Sequence, residues 1–203
     1  SYRRFVQMFS GVVMGVSGQL FEDAISAKKA EKGVTLDTEL TANDLRELVT
    51  WFKGIFAANV DVKEHPEVSK GGFAVFPSDP YLQLRLAEQA VFGSWMNDRA
   101  ILYRKQNKIP DDLGTAVNVQ VMVFGNKGET SATGVAFTRN PADGTNERYG
   151  DFLVNAQGED VVAGIRNTEP ITDLVKVPAL KQAGEELFHV FEILEDHYAD
   201  MMD

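Results

Sequence analysis

The sequence predicts an α+β protein: a helical subdomain over residues 1–112, then a mixed subdomain over residues 113–203 with a mostly antiparallel sheet and a C-terminal helix. Three observations carry that expectation. Apolar residues recur at three- and four-residue intervals through the first half. From Thr115 the period shortens to two, as in a strand with one face buried. A stripe of helical period returns after Pro178.

The elements follow in order. Phe5, Met8, Phe9, Val12, Val13 and Val16 share a helix face, and Leu20, Phe21 and Ile25 continue it beyond Ser17-Gly18. Lys28-Lys29-Ala30-Glu31-Lys32-Gly33 reads as a helix end, with cations in the last turn and glycine just past it. Thr41 is suited to cap a helix whose first turn holds Asp44 and whose apolar face holds Leu45, Leu48, Val49, Phe52 and Phe56. Asn59 to Pro80, rich in proline and charge, reads as a loop or lid-like excursion. Helices follow from Pro80 toward Trp95 and from Arg99 to Gln106. In the second half Thr115–Phe124 and Ser131–Thr138 read as a hairpin joined by the turn Gly125-Asn126-Lys127-Gly128. Asp151–Asn155 and Val161–Ile165 read as two short strands. The helix after Pro178 carries Leu180, Leu187, Phe191, Leu194 and Tyr198.

Composition narrows the function. A formal charge of −10 repels nucleic-acid phosphates, which argues against a general DNA or RNA binder. The absence of cysteine excludes disulfides, zinc–thiolate sites and cysteine nucleophiles, and fits a reducing cytoplasm. Ser1-Tyr2-Arg3-Arg4-Phe5 has the look of a twin-arginine signal, but the apolar stretch behind it is short and polar-broken, with no small-residue cleavage site. No apolar run nears the ~20 residues of a membrane span. The chain begins without Met, so it is expected to be a segment of a longer protein.

Several residue groups could carry chemistry, and each has an ordinary alternative. Neither Gly-x4-Gly-Lys-Ser/Thr nor Gly-x-Gly-x-x-Gly is present. His189 and His197 lie eight apart on one helix with no suitably spaced partner, and read with His65 as surface or boundary residues. Arg3 and Arg4 are a surface charge and an ion-pair partner, or a phosphate clamp whose planar donors match phosphate oxygens. Gln120-Val121-Met122-Val123 is ordinary sheet, or a strand edge that offers a purine one carbonyl and one amide, with Met122 as an adaptable apolar wall. Glu159 and Asp160, between Gly158 and Gly164, are solvated acids in a turn, or groups that bind sugar hydroxyls or assist a metal.

Taken together, Gly125-Asn126-Lys127-Gly128-Glu129-Thr130-Ser131, Thr133 to Pro141, and Asn155-Ala156-Gln157-Gly158-Glu159-Asp160-Val161-Val162-Ala163-Gly164-Ile165-Arg166 resemble the pyruvate, phosphate dikinases. Tyr2-Arg3-Arg4-Phe5 with Gln7-Met8, then Ala90-Val91-Phe92, Ser94-Trp95 and Arg99-Ala100 continue the likeness, which covers essentially the whole chain in order. The resemblance implies an ATP-grasp-like fold for the second subdomain. It also implies conversion of ATP, pyruvate and orthophosphate to AMP, phosphoenolpyruvate and pyrophosphate. A phosphohistidine on a separate swivelling domain would carry the phosphoryl group to a pyruvate-binding barrel. ATP and Mg are the implied cofactors, and the full enzyme is implied to be a homo-oligomer. On this resemblance Arg4 contacts phosphate, Gln120, Met122 and Val123 form the adenine hinge, and Asp151, Glu159 and Asp160 fall on acidic site positions.

Three departures stand out. Asp151 replaces the family's common Glu, Asn97-Asp98 replaces Asn-Pro, and the stretch from Asn59 to Phe76 is longer than usual. The family's phosphate-binding lysine lobe is expected upstream of Ser1. Its Asp-x-Glu metal strand is expected to start at or beyond Asp203, a possible metal ligand. The Gly-Gly-x-Thr-Ser-His motif is not in the chain, so the 203 residues alone are expected to be inactive. The alternatives are a non-catalytic interaction or regulatory module, or the grasp domain of a phosphoenolpyruvate synthase or glucan dikinase. The Asn-Ala-Gln-Gly-Glu-Asp run argues against those two enzymes.

Overall fold

A computed structural model describes residues 1–162, 164 and 166–203, with Thr38 described through its backbone alone. The chain divides into two compact units, Ser1–Val119 and Gln120–Asp203.

The first unit is helical, as its periodicity predicts. Helix α1 (Tyr2–Met8) runs into a wider π-wound turn over Phe9–Val13. Helix α2 (Gly18–Lys32) ends on Gly33 with φ 67°, a left-handed cap that glycine adopts without strain. Helix α3 (Ala42–Asn59) opens on Thr41. Its hydroxyl accepts from the Asp44 amide at 3.3 Å, and the Asp44 carboxylate accepts from the Thr41 amide at 2.9 Å, a reciprocal capping box. Lys32 closes on the same carboxylate at 3.0 Å.

One core fills this unit. Phe21 and Phe52 meet edge to face at 4.9 Å, and Phe76 sets its ring against both Phe9 and Phe56 at 5.3 Å. Lys28 is buried at 1% exposure. Its ammonium lies under the Trp51 ring and pairs with Glu31 and Glu47, the combination that makes a buried cation tolerable.

The 59–80 excursion is pinned down, not a loose lid. Strands β1 (Ser69–Lys70) and β2 (Phe73–Ala74) form a hairpin, and Val60, Val68, Ala74 and Phe76 are buried in the helical core. Helix α4 (Pro80–Ser94) follows, capped by Asp79, then α5 (Asp98–Asn107), capped by Asn97. Asp98 is the first helical residue, a position that favours acids through the helix dipole.

The second unit holds β3 (Ala132–Phe137), β4 (Tyr149–Val154) and β5 (Glu169–Pro170), antiparallel in the order β3-β4-β5. The short helix α6 (Gly158–Val162) lies against β3 and β4. Helix α7 (Lys181–Tyr198) contributes Phe188 and Phe191 to a core with Phe152, Ile171, Leu174 and Leu180.

Two expectations fail here. Thr115–Phe124 is not a strand, and the hairpin expected between it and 131–138 does not form; β3 pairs with β4 instead. Alternation tells which residues would share a face, but a strand also needs a neighbour's backbone. Val121 and Val123 stand 95% and 89% exposed. Gly134 favours the β4 pairing: a Cβ there would fall 2.7 Å from the Asp151 carbonyl oxygen. The strand expected over Val161–Ile165 also fails in part, because Val161 and Val162 close α6; Ala163 and Ile165 lie outside the described residues. The Asp160 carboxylate, accepting from the Gln157 amide at 2.8 Å, starts a helical turn where the β-branched pair suggested a strand.

Two stability predictions follow from the first unit. Phe52→Ala leaves a ring-sized hole in a closed aromatic core and should cost about 3–5 kcal/mol in chemical denaturation. The Thr41 hydroxyl, Lys32 and the Thr41 amide together hold the Asp44 carboxyl down at about 2, from an ordinary 3.8. A depressed carboxylate pKa stabilises the fold above the unfolded value, and that stabilisation drains away as pH falls from about 4 toward 2. Thermal melts between these limits should show a slope in the native chain that Asp44→Asn lacks.

Candidate functional site

The resemblance places seven residues at a nucleotide site, and six of them lie in the second unit. Arg4 belongs to the first. It is half-buried on α1 beside Arg3, whose guanidinium donates to Gln7 at 2.8 Å and lies 3.6 Å from Asp37. Arg3 is thus ion-paired.

In the second unit Gln120–Phe124 belongs to no helix or strand. Among the described residues no hydrogen bond engages the backbone of Gln120–Val123. Met122 is exposed with its neighbours. The segment does not hang loose, because its continuation is clamped. The Ala156 amide donates to the Gly125 carbonyl at 2.9 Å. The Ser131 hydroxyl stands 2.9 Å from that same carbonyl and 2.8 Å from the Gly128 carbonyl, and accepts from the Lys127 amide at 2.8 Å. Asn155, at φ 48°, takes the Gly128 amide on its side-chain oxygen at 3.1 Å and donates its own amide to the Ser131 carbonyl at 2.8 Å. Asparagine tolerates that left-handed backbone better than most residues.

One residue beyond Ala156 begins the acidic turn. Glu159 and Asp160 occupy the first turn of α6, where the helix dipole favours anions. Asp160 spends one oxygen on the Gln157 amide, a capping bond, while Glu159 is exposed. Asp151 lies on the central strand β4, paired in register with Val135 and Pro170. Its exposed side chain makes no hydrogen bond or ion pair among the described residues.

Near the C-terminus, Met202 and Thr138 exchange hydrogen bonds of 2.9 and 3.0 Å at the end of β3, which places Asp203 next to that strand end. Among the described residues no group of three or more acids or histidines is arranged to hold a metal ion.

The structure therefore brings the Gln120–Val123 edge and the Glu159–Asp160 turn onto one clamp, and sets Asp151 on the sheet against which α6 packs. A separate polar cleft of about 690 Å³ lies between the end of β3 and α7, lined by residues that include Thr138, Asn146, Glu147, Glu192 and Glu195. None of the seven residues lines it. Its three carboxylates outnumber its one lining cation, Arg148, and suit a polyphosphate poorly; Glu195 is already held by Arg139 through two bonds of 2.9 and 3.0 Å.

With this geometry in place the comparisons are informative. The chain belongs to the pyruvate phosphate dikinase AMP/ATP-binding domain family, whose profile matches residues 17–186. It is 52% identical over 203 residues to the pyruvate, phosphate dikinase of Clostridium symbiosum, of which it covers 22%. It is 52% identical to the chloroplastic enzyme of Mesembryanthemum crystallinum, and 53% identical to chloroplastic pyruvate, phosphate dikinase 1 of Oryza sativa subsp. japonica, covering 20% of each. The chain thus spans about a fifth of the length of these relatives. Arg4 and Asp203 fall outside the matched family profile but inside the pairwise alignments. No helix among the described residues is long and apolar enough to cross a membrane.

The clamp residues Gly125, Ser131 and Asn155 are absent from the sequence-predicted site. A glycine-flanked turn followed by serine, with a lone asparagine ahead of the acids, was the only signal for them. The cap on α6 is testable: Asp160→Ala should speed amide exchange at Gln157 about tenfold, the equivalent of one lost cap, with Asp160→Asn intermediate.

Proposed function

We propose that this chain forms one wall of the ATP site in an enzyme that converts ATP, pyruvate and orthophosphate to AMP, phosphoenolpyruvate and pyrophosphate. The purine edge meets the backbone of Gln120 to Val123, with Met122 against the ring. Asp151, Glu159 and Asp160 face the sugar side, and Arg4 binds phosphate. The observation that carries this reading is the backbone edge of Gln120–Val123. It makes no hydrogen bond among the described residues, yet it is anchored through Gly125 beside the acidic turn of α6. An edge with its carbonyls and amides unused is what a purine requires. Family membership and the high identity to pyruvate, phosphate dikinases support the same assignment.

Phosphoryl transfer needs charge neutralisation around the transferred group. The described residues hold no three-ligand metal cluster, so no step through Mg is assigned to them; Asp203 is the residue proposed to meet it. The phosphohistidine and pyruvate-binding domains are proposed partners within a longer chain, the full enzyme is proposed to be a homo-oligomer, and a cysteine-free sequence suits a cytoplasmic location. The isolated 203 residues are proposed to bind adenosine weakly and not to turn over.

Arg4→Ala, Met122→Ala and Glu159→Ala, made one at a time in the full-length gene product, should each raise the Kd for ATP by roughly tenfold or more in calorimetry. Unchanged affinity in all three would show the site assignment to be wrong.

A further inference from the structure

We infer that Ser131 and Asn155 are positioning residues that fix the Gln120–Val123 edge relative to the Glu159–Asp160 turn, and so set how well the base of the nucleotide is discriminated. The inference rests on the hinge reading above.

A segment with no backbone hydrogen bonds of its own takes its position from its nearest anchor. For Gln120–Phe124 that anchor is Gly125, one residue on. Gly125 is held on two sides: a Cβ on it would lie 2.5 Å from the Ala132 carbonyl oxygen and 2.7 Å from that of Ala156. No side chain fits, and the backbones at the start of β3 and beyond the end of β4 pin the residue directly.

Two side chains lock that pinch. Ser131 bridges the carbonyls of Gly125 and Gly128 with its hydroxyl, and Asn155 holds the Gly128 amide from the opposite strand end. The guanidinium of Arg166 adds a bond of 3.2 Å to the Asn155 carbonyl. Ala156, only 1% exposed, carries the linkage onward: its amide holds Gly125, and the next amide, that of Gln157, is capped by Asp160.

The path from Gly125 to Glu159 is therefore one hydrogen bond and three peptide units long, and the base edge ends two residues before Gly125. A displacement of about 1 Å at such a junction is enough to degrade an aligned set of contacts. The phosphates, by contrast, are read by charge and tolerate such a shift.

The test uses the full-length gene product and three probes: ATP, GTP and inorganic tripolyphosphate. Ser131→Ala removes the bridging hydroxyl; Asn155→Gly keeps the left-handed backbone and removes the side-chain acceptor. Each should weaken ATP binding about threefold to tenfold, the equivalent of one hydrogen bond, and shrink the preference for ATP over GTP by the same factor. Tripolyphosphate affinity should stay as in the parent. Ser131→Thr and Asn155→Asp, which retain the bridging atoms, should restore the preference. Far-UV circular dichroism shows whether each variant is folded.

If ATP and tripolyphosphate weaken in parallel, the knot serves general stability and the inference is overturned. If base preference is unchanged in both variants while Met122→Ala still weakens ATP, the knot is overturned and the hinge stands. If Met122→Ala is neutral as well, both fall together.

Discussion

The second unit is organised by the close approach of three backbones at Gly125, Ala132 and Ala156. A side chain at position 125 would collide with carbonyl oxygens on two sides, so the contact exists only because that position is glycine. From it descend the start of β3, the departure of the chain beyond β4, and the point from which the Gln120–Phe124 edge projects. The short sheet could form without this junction, through the β3–β4 register and the hydrophobic seam under α7. The edge depends on it more, since Gln120–Val123 make no backbone hydrogen bond of their own among the described residues.

The two units solve different problems. The helical unit is conventional: three helices converge on a cluster of phenylalanines, and its buried polar groups are matched one by one, Lys28 with two glutamates and Asp44 with a capping threonine and a lysine. The second unit has a thinner core, built on Phe152 and the aromatic face of α7, and leaves a larger share of its described backbone outside helices and strands. Irregular backbone stabilises a fold less than a helix does, but it can present carbonyls, amides and acids toward one point.

What could be read from the sequence follows the range of the interactions. Helices α2, α3, α4, α5 and α7 were legible because their signals are local: period, a cap at Thr41, and a terminal Gly33. β3 and β4 were legible as strands, yet their mutual pairing was not, because the even alternation of Val117 to Val123 made a competing partner look equally good. The choice turns on Gly134 and on the clamp at Gly125, both long-range facts. The acidic run was read as a loop between strands because its valines favour extended backbone; the cap from Asp160 reverses that locally. Family resemblance supplied candidate roles for Arg4, Asp151 and Glu159 that their environments alone do not reveal.

The open edge at residues 117–124 has a cost during biosynthesis. Four valines, a methionine and a phenylalanine, uncharged from Ala116 to Phe124, make a segment of the composition that nucleates cross-β stacking when two copies meet. Lys127 just beyond it is the nearest gatekeeping charge. A nascent chain carrying this stretch is exposed to misassembly until something covers it.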